Sequence, residues 1–483
     1  MALTLTLPLL RRRIERPAVH AAALAAVLGL AGCAGPAQQA PDRLTDRARV
    51  AVLADRVIDE LVAATGFSGA VVLMRDGTVV HERAVGLAQR NPDRPFTVDT
   101  PSDGGSLAKT LTAALLWELA AEGRLSLDDP VRRHLPDYPY AGQTLRDLLT
   151  HRNGLPDYGA FEDELKARGV LHTPDLLALT AQRRPQPVRP PGVTVEYSNL
   201  GFDTAALVAE RVTGRSVAEL WRERYFEPLG MAGTFARPAR FADFAVPRTL
   251  GYRRDGAAWV PHDAYDGEGF IGASNVHASA LDWARWGDGF ARGRVMPAER
   301  LAAGLRAPML DSGLDNTLTM LSWYCDEARR RCHYTGAYNG FYAQVWWDRS
   351  RRETVAYVSN STLPPWHCAK LTRDLVDALA GRAPAADDTP PLRAVARAEL
   401  PSLAGRWQSA TLGALELSYA DGRLFLRAGR GEMASTFQVE REVFYVPTLD
   451  LWLAFSGPPA TPTMHIRSVF HVAQARRLAA PTS

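Results

Sequence analysis

Strand-forming sequence lies at two distant places in this chain, and helix-forming sequence fills most of the interval. The stretch FSGAVVLMRDGTVVHERAVGLA, residues 67–88, holds two apolar runs joined across Asp76-Gly77, a pair suited to a tight hairpin. The second strand-like group is FYAQVWWD from Phe341 and RETVAYVSN from Arg352. From Ser106 to about residue 230 the apolar spacing is helical, as in GFDTAALVAERVTG and SVAELWRERYF. The pattern predicts one α+β domain whose sheet is assembled from its two ends.

Both termini differ from this body, residues 47–380. The segment RRRIERPAVHAAALAAVLGLAGCAG has a basic start, an apolar run from Ala21 to Leu30 and small residues before Cys33. That is the pattern of an export signal over 1–33, with an apolar run too short to span a bilayer as a permanent helix. Leu30-Ala31-Gly32-Cys33 resembles a bacterial lipobox, which makes Cys33 the lipidated residue, and Ala34 behind it suits outer-membrane sorting. A periplasmic protein, lipid-anchored to the outer membrane, is expected, with residues 34–46 as a tether. A Pro- and Ala-rich linker covers 381–400. Residues 401–483 then alternate apolar and polar positions in short runs such as ALELSYADGRLFLRA, which predicts a small all-β barrel or sandwich.

A formal net charge of +3 over 483 residues gives no footprint for nucleic acid. In an oxidising compartment, Cys325 and Cys332 flank the polar segment DEARRR and suit a hairpin-tip disulfide; Cys368 reads as a small buried hydrophobe. A metal site on Cys325, Cys332 and His333 is the weaker reading, because no further ligand pair stands at metal-binding spacing. No metal and no cofactor is expected.

Of the 56 basic residues only Lys109, Lys166 and Lys370 are lysines. Arginine stays protonated at any useful pH, whereas a desolvated lysine can act as a base. Lys109 follows Ser106 by three residues at the mouth of a helix-like stretch, so both share one helical face, and a serine there meets backbone N–H groups and the helix dipole. Apolar neighbours Leu107, Leu111 and Leu115 bury the flanks. This arrangement suits an activated serine. In PPGVTVEYSNLGF, Tyr197 is the one tyrosine of fourteen with an asparagine two positions on, Asn199. A turn can point both side chains into one cleft, the phenol to move a proton and the amide to hold the lysine or a carbonyl; a turn whose Asn bonds its own backbone is the plainer alternative.

The order Ser-x-x-Lys, Tyr-x-Asn, then a strand near HYTGAYNGF resembles the serine β-lactamase and penicillin-binding protein superfamily, in its class C-like branch of esterases, D-stereospecific peptidases and β-lactamases. TLRDLLTHRNGLPDY, GRLSLDDPVRRHLPDYP and YFEPLGMAGT extend the resemblance over about residues 50–380. It implies a β-lactamase/transpeptidase-like domain, an antiparallel sheet flanked by helices plus a helical subdomain. The β-domain behind it is similar to the lipocalin-like barrels of some relatives.

By that resemblance Ser106 attacks a carbonyl, Lys109 and Tyr197 share general acid and base work, and Asn199 orients them and the substrate. The backbone N–H groups of Ser106 and Ala337 hold the oxyanion. The third motif aligns with Tyr334-Thr335-Gly336, leaving Tyr334 where relatives commonly have a cation. His333 lies one position earlier and, in a regular strand, on the opposite face unless a bulge shifts it. Without that cation a carboxylate loses its partner, which favours small ester or amide substrates with no obligatory carboxylate. A β-lactamase or D-alanyl peptidase, or a catalytically silent protein binding cell-envelope material, are the alternatives. His151 reads as satisfying turn backbone rather than as a base.

Overall fold

The computed structural model describes residues 43–478 apart from 156, 158–162, 165–166, 168, 188–189, 193–194, 265, 307–315, 362, 386–390, 430 and 432. The expected export signal with Cys33, and Lys166, lie outside the described residues. Helix α1 (Arg43–Thr65) precedes the hairpin of β1 (Gly69–Arg75) and β2 (Thr78–Val85). Its turn holds Asp76 at φ 51° and Gly77 at φ 78°, the left-handed pair that a two-residue hairpin requires. The helix begins inside the stretch expected to be tether. Asp46 in its first turn pairs with Arg75 at the end of β1, at 2.5 Å, which fastens that turn to the sheet.

The chain then runs through helices, among them α2 (Ala108–Ala121), α3 (Asn199–Thr213) and α4 (Ala280–Ala291). It returns as β3 (Thr317–Leu318), β4 (Tyr324–Cys325), β5 (Arg331–Tyr338), β6 (Phe341–Asp348) and β7 (Glu353–Ser359), followed by α5 (Pro365–Leu379). The strands form one seven-stranded sheet in the order β3-β4-β5-β6-β7-β1-β2, with β1 antiparallel to β7 from Gly69 opposite Ser359 to Arg75 opposite Glu353. The two ends of the domain therefore meet inside the sheet, at its fifth and sixth strands. Alternate residues of β1 face opposite layers. Val71 and Leu73 pack with Ile58 of α1 and Leu375 of α5, while Ala70 and Val72 join the larger core containing Leu111 of α2 and Trp283 of α4. Cys325 and Cys332 lie opposite each other on β4 and β5 and are disulfide-bonded; Cys368 is buried and free.

Nine further strands, β8 (Gly405–Ser409), β9 (Gly413–Ala420), β10 (Arg423–Ala428), β11 (Ala434–Ser435), β12 (Phe437–Gln438), β13 (Val443–Val446), β14 (Leu451–Ser456), β15 (Thr463–Arg467) and β16 (Val472–Arg477), make a second sheet. Its order, β11-β10-β9-β8-β16-β15-β14-β13-β12, ends on two strands joined through Thr436 alone, so the sheet curls into a nearly closed barrel. Trp407, Leu417, Leu426, Leu453 and Phe455 fill it. Buried Arg467 ties the barrel to α5, donating to the Trp366 carbonyl at 3.1 Å with its guanidinium 4.5 Å over the indole.

Candidate active site

Ser106 sits in a single 3-10 turn, Gly105–Leu107, that runs directly into α2. Two close approaches fix this turn. Gly105 adopts φ 49°, with Asp103 accepting its N–H at 2.8 Å, and the Ala337 backbone lies against it. A Cβ on Gly336 would fall 1.9 Å from the Gly104 carbonyl oxygen, so only glycine lets β5 pass this close. The backbones of Ser106 and Ala337, the expected oxyanion donors, are thereby brought to one end of the cleft.

The four side chains singled out in the sequence converge. Lys109, fully buried, has its Nζ 3.1 Å from Ser106 Oγ, 2.6 Å from Asn199 Oδ1 and 3.0 Å from the Ala273 carbonyl. Tyr197 Oη is 2.7 Å from Ser106 Oγ. The Asn199 and Ala273 oxygens accept from the amine, and Ser106 Oγ is its third polar neighbour.

Three supporting residues lie outside the Ser-x-x-Lys and Tyr-x-Asn motifs. Asp157 accepts from Asn199 Nδ2 at 2.7 Å, which turns the amide so that its oxygen faces Lys109. Burial raises the Asp157 carboxyl, opposed by the Lys109 charge and the Asn199 hydrogen bonds. Buried Asp203 accepts the Ala273 N–H at 2.9 Å and so aims the carbonyl of the same residue. His151, at φ 56°, stacks on Tyr197 with ring centroids 4.5 Å apart, while its Nδ1 accepts the Ser198 N–H at 3.2 Å. Burial, then the Lys109 charge, lower its pKa to about 3, so near neutral pH it is an uncharged platform. Asp157 follows directly on Gly-Leu-Pro, and that adjacency was the signal available. Asp203 and Ala273 have none. Of the other lysines, Lys370 pairs with Asp374 along α5.

At the third motif, β5 pairs with β6 without a register shift from Arg331 opposite Asp348 to Tyr338 opposite Phe341, so no bulge turns His333 inward. Tyr334 lines the cleft. Its hydroxyl is buried within electrostatic reach of Tyr197 but makes no hydrogen bond of normal geometry, and burial, then Tyr197, push its pKa well up. His333 faces away, Nε2 2.8 Å from Asn316 Oδ1 and Nδ1 3.3 Å from Asp450 of the barrel. Thr335 Oγ1 donates to Gln344 Oε1 at 2.6 Å and lies 3.3 Å from Asp450 Oδ2.

The cleft encloses about 470 Å³ and has a wall from each domain: Ser106, Tyr197, Asn199, Tyr334 and Thr335 on one side, Arg423, Phe437, Tyr445 and Trp452 of the barrel on the other. The segment before β14 closes its end, with Tyr324 donating to the Pro447 carbonyl and Asn316 to that of Leu449. Among the described residues no cluster of His, Cys, Asp and Glu is disposed to hold a metal ion.

A serine held by a lysine and a tyrosine, at a helix start beside an antiparallel sheet, defines a serine hydrolase of the β-lactamase/transpeptidase fold. The family profile described as Beta-lactamase matches residues 54–380, and the chain belongs to that family. A penicillin-binding protein of Bacillus subtilis is 31% identical over 169 residues, 35% of this chain and 38% of the relative. Esterase EstB of Burkholderia gladioli is 33% identical over 217 residues, 41% and 55% of the two chains. The chain spans about half or less of the length of these curated relatives. In fold, the octameric penicillin-binding protein homologue from Pyrococcus abyssi superposes with a TM-score of 0.59 at 20% identity, covering 87% of this chain and 99% of that one.

Proposed function

We propose that the protein is an exported hydrolase that cleaves esters or amides through an acyl-enzyme on Ser106. The observation that carries this is the contact of Ser106 Oγ with both Lys109 Nζ, at 3.1 Å, and Tyr197 Oη, at 2.7 Å. As Oγ bonds to the substrate carbonyl carbon, its proton passes to Lys109. The oxygen that becomes negative meets the N–H groups of Ser106 and Ala337. Tyr197 then protonates the leaving group, drawing on the proton held by Lys109; the bond to that group breaks, the carbonyl re-forms as an ester of Ser106, and the group departs as an alcohol or amine. Water attacks that ester by the reverse route, returning the proton to Ser106. Asn199 and the Ala273 carbonyl hold the amine in place throughout, and no metal or cofactor enters a step.

Esters and amides without an obligatory carboxylate are favoured because Tyr334 offers no charge and His333 faces Asp450. The relatives named esterase and D-aminopeptidase support the same substrate range. The export pattern and Cys33 support a periplasmic site of action at a lipid anchor. The test is intact mass of the chain from residue 34 onward with p-nitrophenyl acetate and, separately, benzylpenicillin, beside Ser106→Ala. A transient acetyl adduct absent from Ser106→Ala is expected. A lasting penicilloyl adduct would make it a penicillin-binding protein instead, and no adduct from either would make it a binding protein without turnover.

A further inference from the structure

We propose that the barrel is a specificity element of the Ser106 site, forming with the strand tyrosines a subsite for an uncharged aromatic group on the acyl side of the scissile bond. This rests on the acyl-enzyme reading above. Two stacked ring pairs, one from each domain, line the cleft: Tyr324 on Tyr334, with centroids 5.3 Å apart, and Tyr445 on Trp452, 4.2 Å apart. Flat apolar walls favour a flat apolar guest through buried area and ring packing.

Charge points the same way. Arg423, the one cation among the described lining residues, is paired with Glu196 at 2.9 Å, and Asp157 is held by Asn199. A carboxylate or ammonium on the substrate would have to break one of these pairs or stay unpaired, and a desolvated unpaired charge is costly. Neutral rings meet no such cost.

The acyl side follows from burial. The acyl group stays through both half-reactions, whereas the leaving group must escape after the first. Tyr324, Tyr334, Tyr342 and Trp452 are at most 7% exposed and form an inner end, while Phe437 and Val439 are 38% and 45% exposed at the mouth. The retained group belongs in the inner end.

The test compares kcat/KM for p-nitrophenyl 3-phenylpropanoate, its ring para-carboxylate analogue and p-nitrophenyl acetate, using the chain from residue 34. The phenylpropanoate is expected to exceed the acetate at least ~10-fold and the charged analogue by a similar factor. Trp452→Ala and Tyr445→Ala, which break the barrel's stacked pair, are expected to lower the phenylpropanoate-to-acetate ratio ~10-fold, Trp452→Phe to restore it, and Val472→Ala, on the exposed outside of the barrel, to leave it unchanged. If Trp452→Ala does not fold, the less buried Tyr445 of the same stacked pair carries the comparison. Acetate turnover with an unchanged ratio in both variants, or preference for the charged analogue, overturns the subsite and leaves the acyl-enzyme standing. Absence of turnover and of any Ser106 adduct overturns the acyl-enzyme reading itself.

Discussion

On the helical side of the cleft, polar groups meet at 2.6–3.1 Å and each holds the next: Asp157 orients Asn199, Asn199 and Ala273 hold Lys109, and Lys109 and Tyr197 hold Ser106. On the barrel side the wall is rings, and Arg423, the one cation among the described lining residues, is already paired. The first side fixes what bond can be broken and tolerates little displacement, because proton transfer needs hydrogen-bond geometry. The second side fixes which molecule is held. Its contacts are broad and apolar, so it can change residue by residue without touching the chemistry.

The comparison breaks first, and by the largest amount, at the nucleophile. Ser106→Ala should abolish ester turnover, by ~10,000-fold or more, with an unchanged thermal midpoint. Assay of p-nitrophenol release beside a melting curve checks both halves of that statement. Gly336→Ala comes next. Its Cβ meets a backbone oxygen that cannot swing aside, so β5 and the Ser106 turn must part, with an expected cost of ~3 kcal/mol in denaturant unfolding and loss of activity. A variant as stable and active as the parent would mean the approach is looser than the geometry states.

Asp157 tests the same side more finely. Asp157→Asn keeps the size but can no longer be relied on to receive the Asn199 Nδ2 hydrogens, so the amide loses its fixed orientation toward Lys109. A fall in kcat of ~100-fold with KM changed by under ~3-fold is expected, since a misplaced catalytic group costs rate rather than binding. A rise in KM alone would assign Asp157 to substrate binding.

These two sides were not equally legible. Ser106 with Lys109, and Tyr197 with Asn199, are local patterns, three and two residues apart, and a helix and a turn bring such pairs together without outside help. The meeting of the first and last strands followed from where strand-forming sequence lies. The barrel was legible as a fold, while its place over the active site stood only as one of two roles open to it. Thr335 and Asp450 are 115 residues apart, and no periodicity reports a contact between two domains. Ala273 acts through its carbonyl, which every residue type has, so its identity carries no trace of the role.

The smallest expected effect lies where the two sides touch. Asp450 is buried between His333 Nδ1 and Thr335 Oγ1, each at 3.3 Å, and accepts from Tyr445 Oη at 2.5 Å. Burial raises its pKa to about 6, partly offset by the Tyr445 and Thr335 hydrogen bonds. Its neutral form is therefore favoured by folding. That contribution is fully present below the unfolded value of 3.8 and is lost as pH rises through about 6. His333 works in the opposite sense, because burial lowers its pKa to about 3, and the stability tied to its neutral form is lost as pH falls from 6.5 toward 3. Measuring unfolding of the parent alone would blend the two. Asp450→Asn removes one titration and keeps the other, so the stability difference, parent minus variant, should fall by ~2 kcal/mol between pH 4 and pH 7. A difference that stays level would mean Asp450 is ionised as readily in the fold as in the open chain, and that the junction of barrel and strand is open to water. A difference that rises would mean that His333 holds a proton there and pairs with an ionised Asp450.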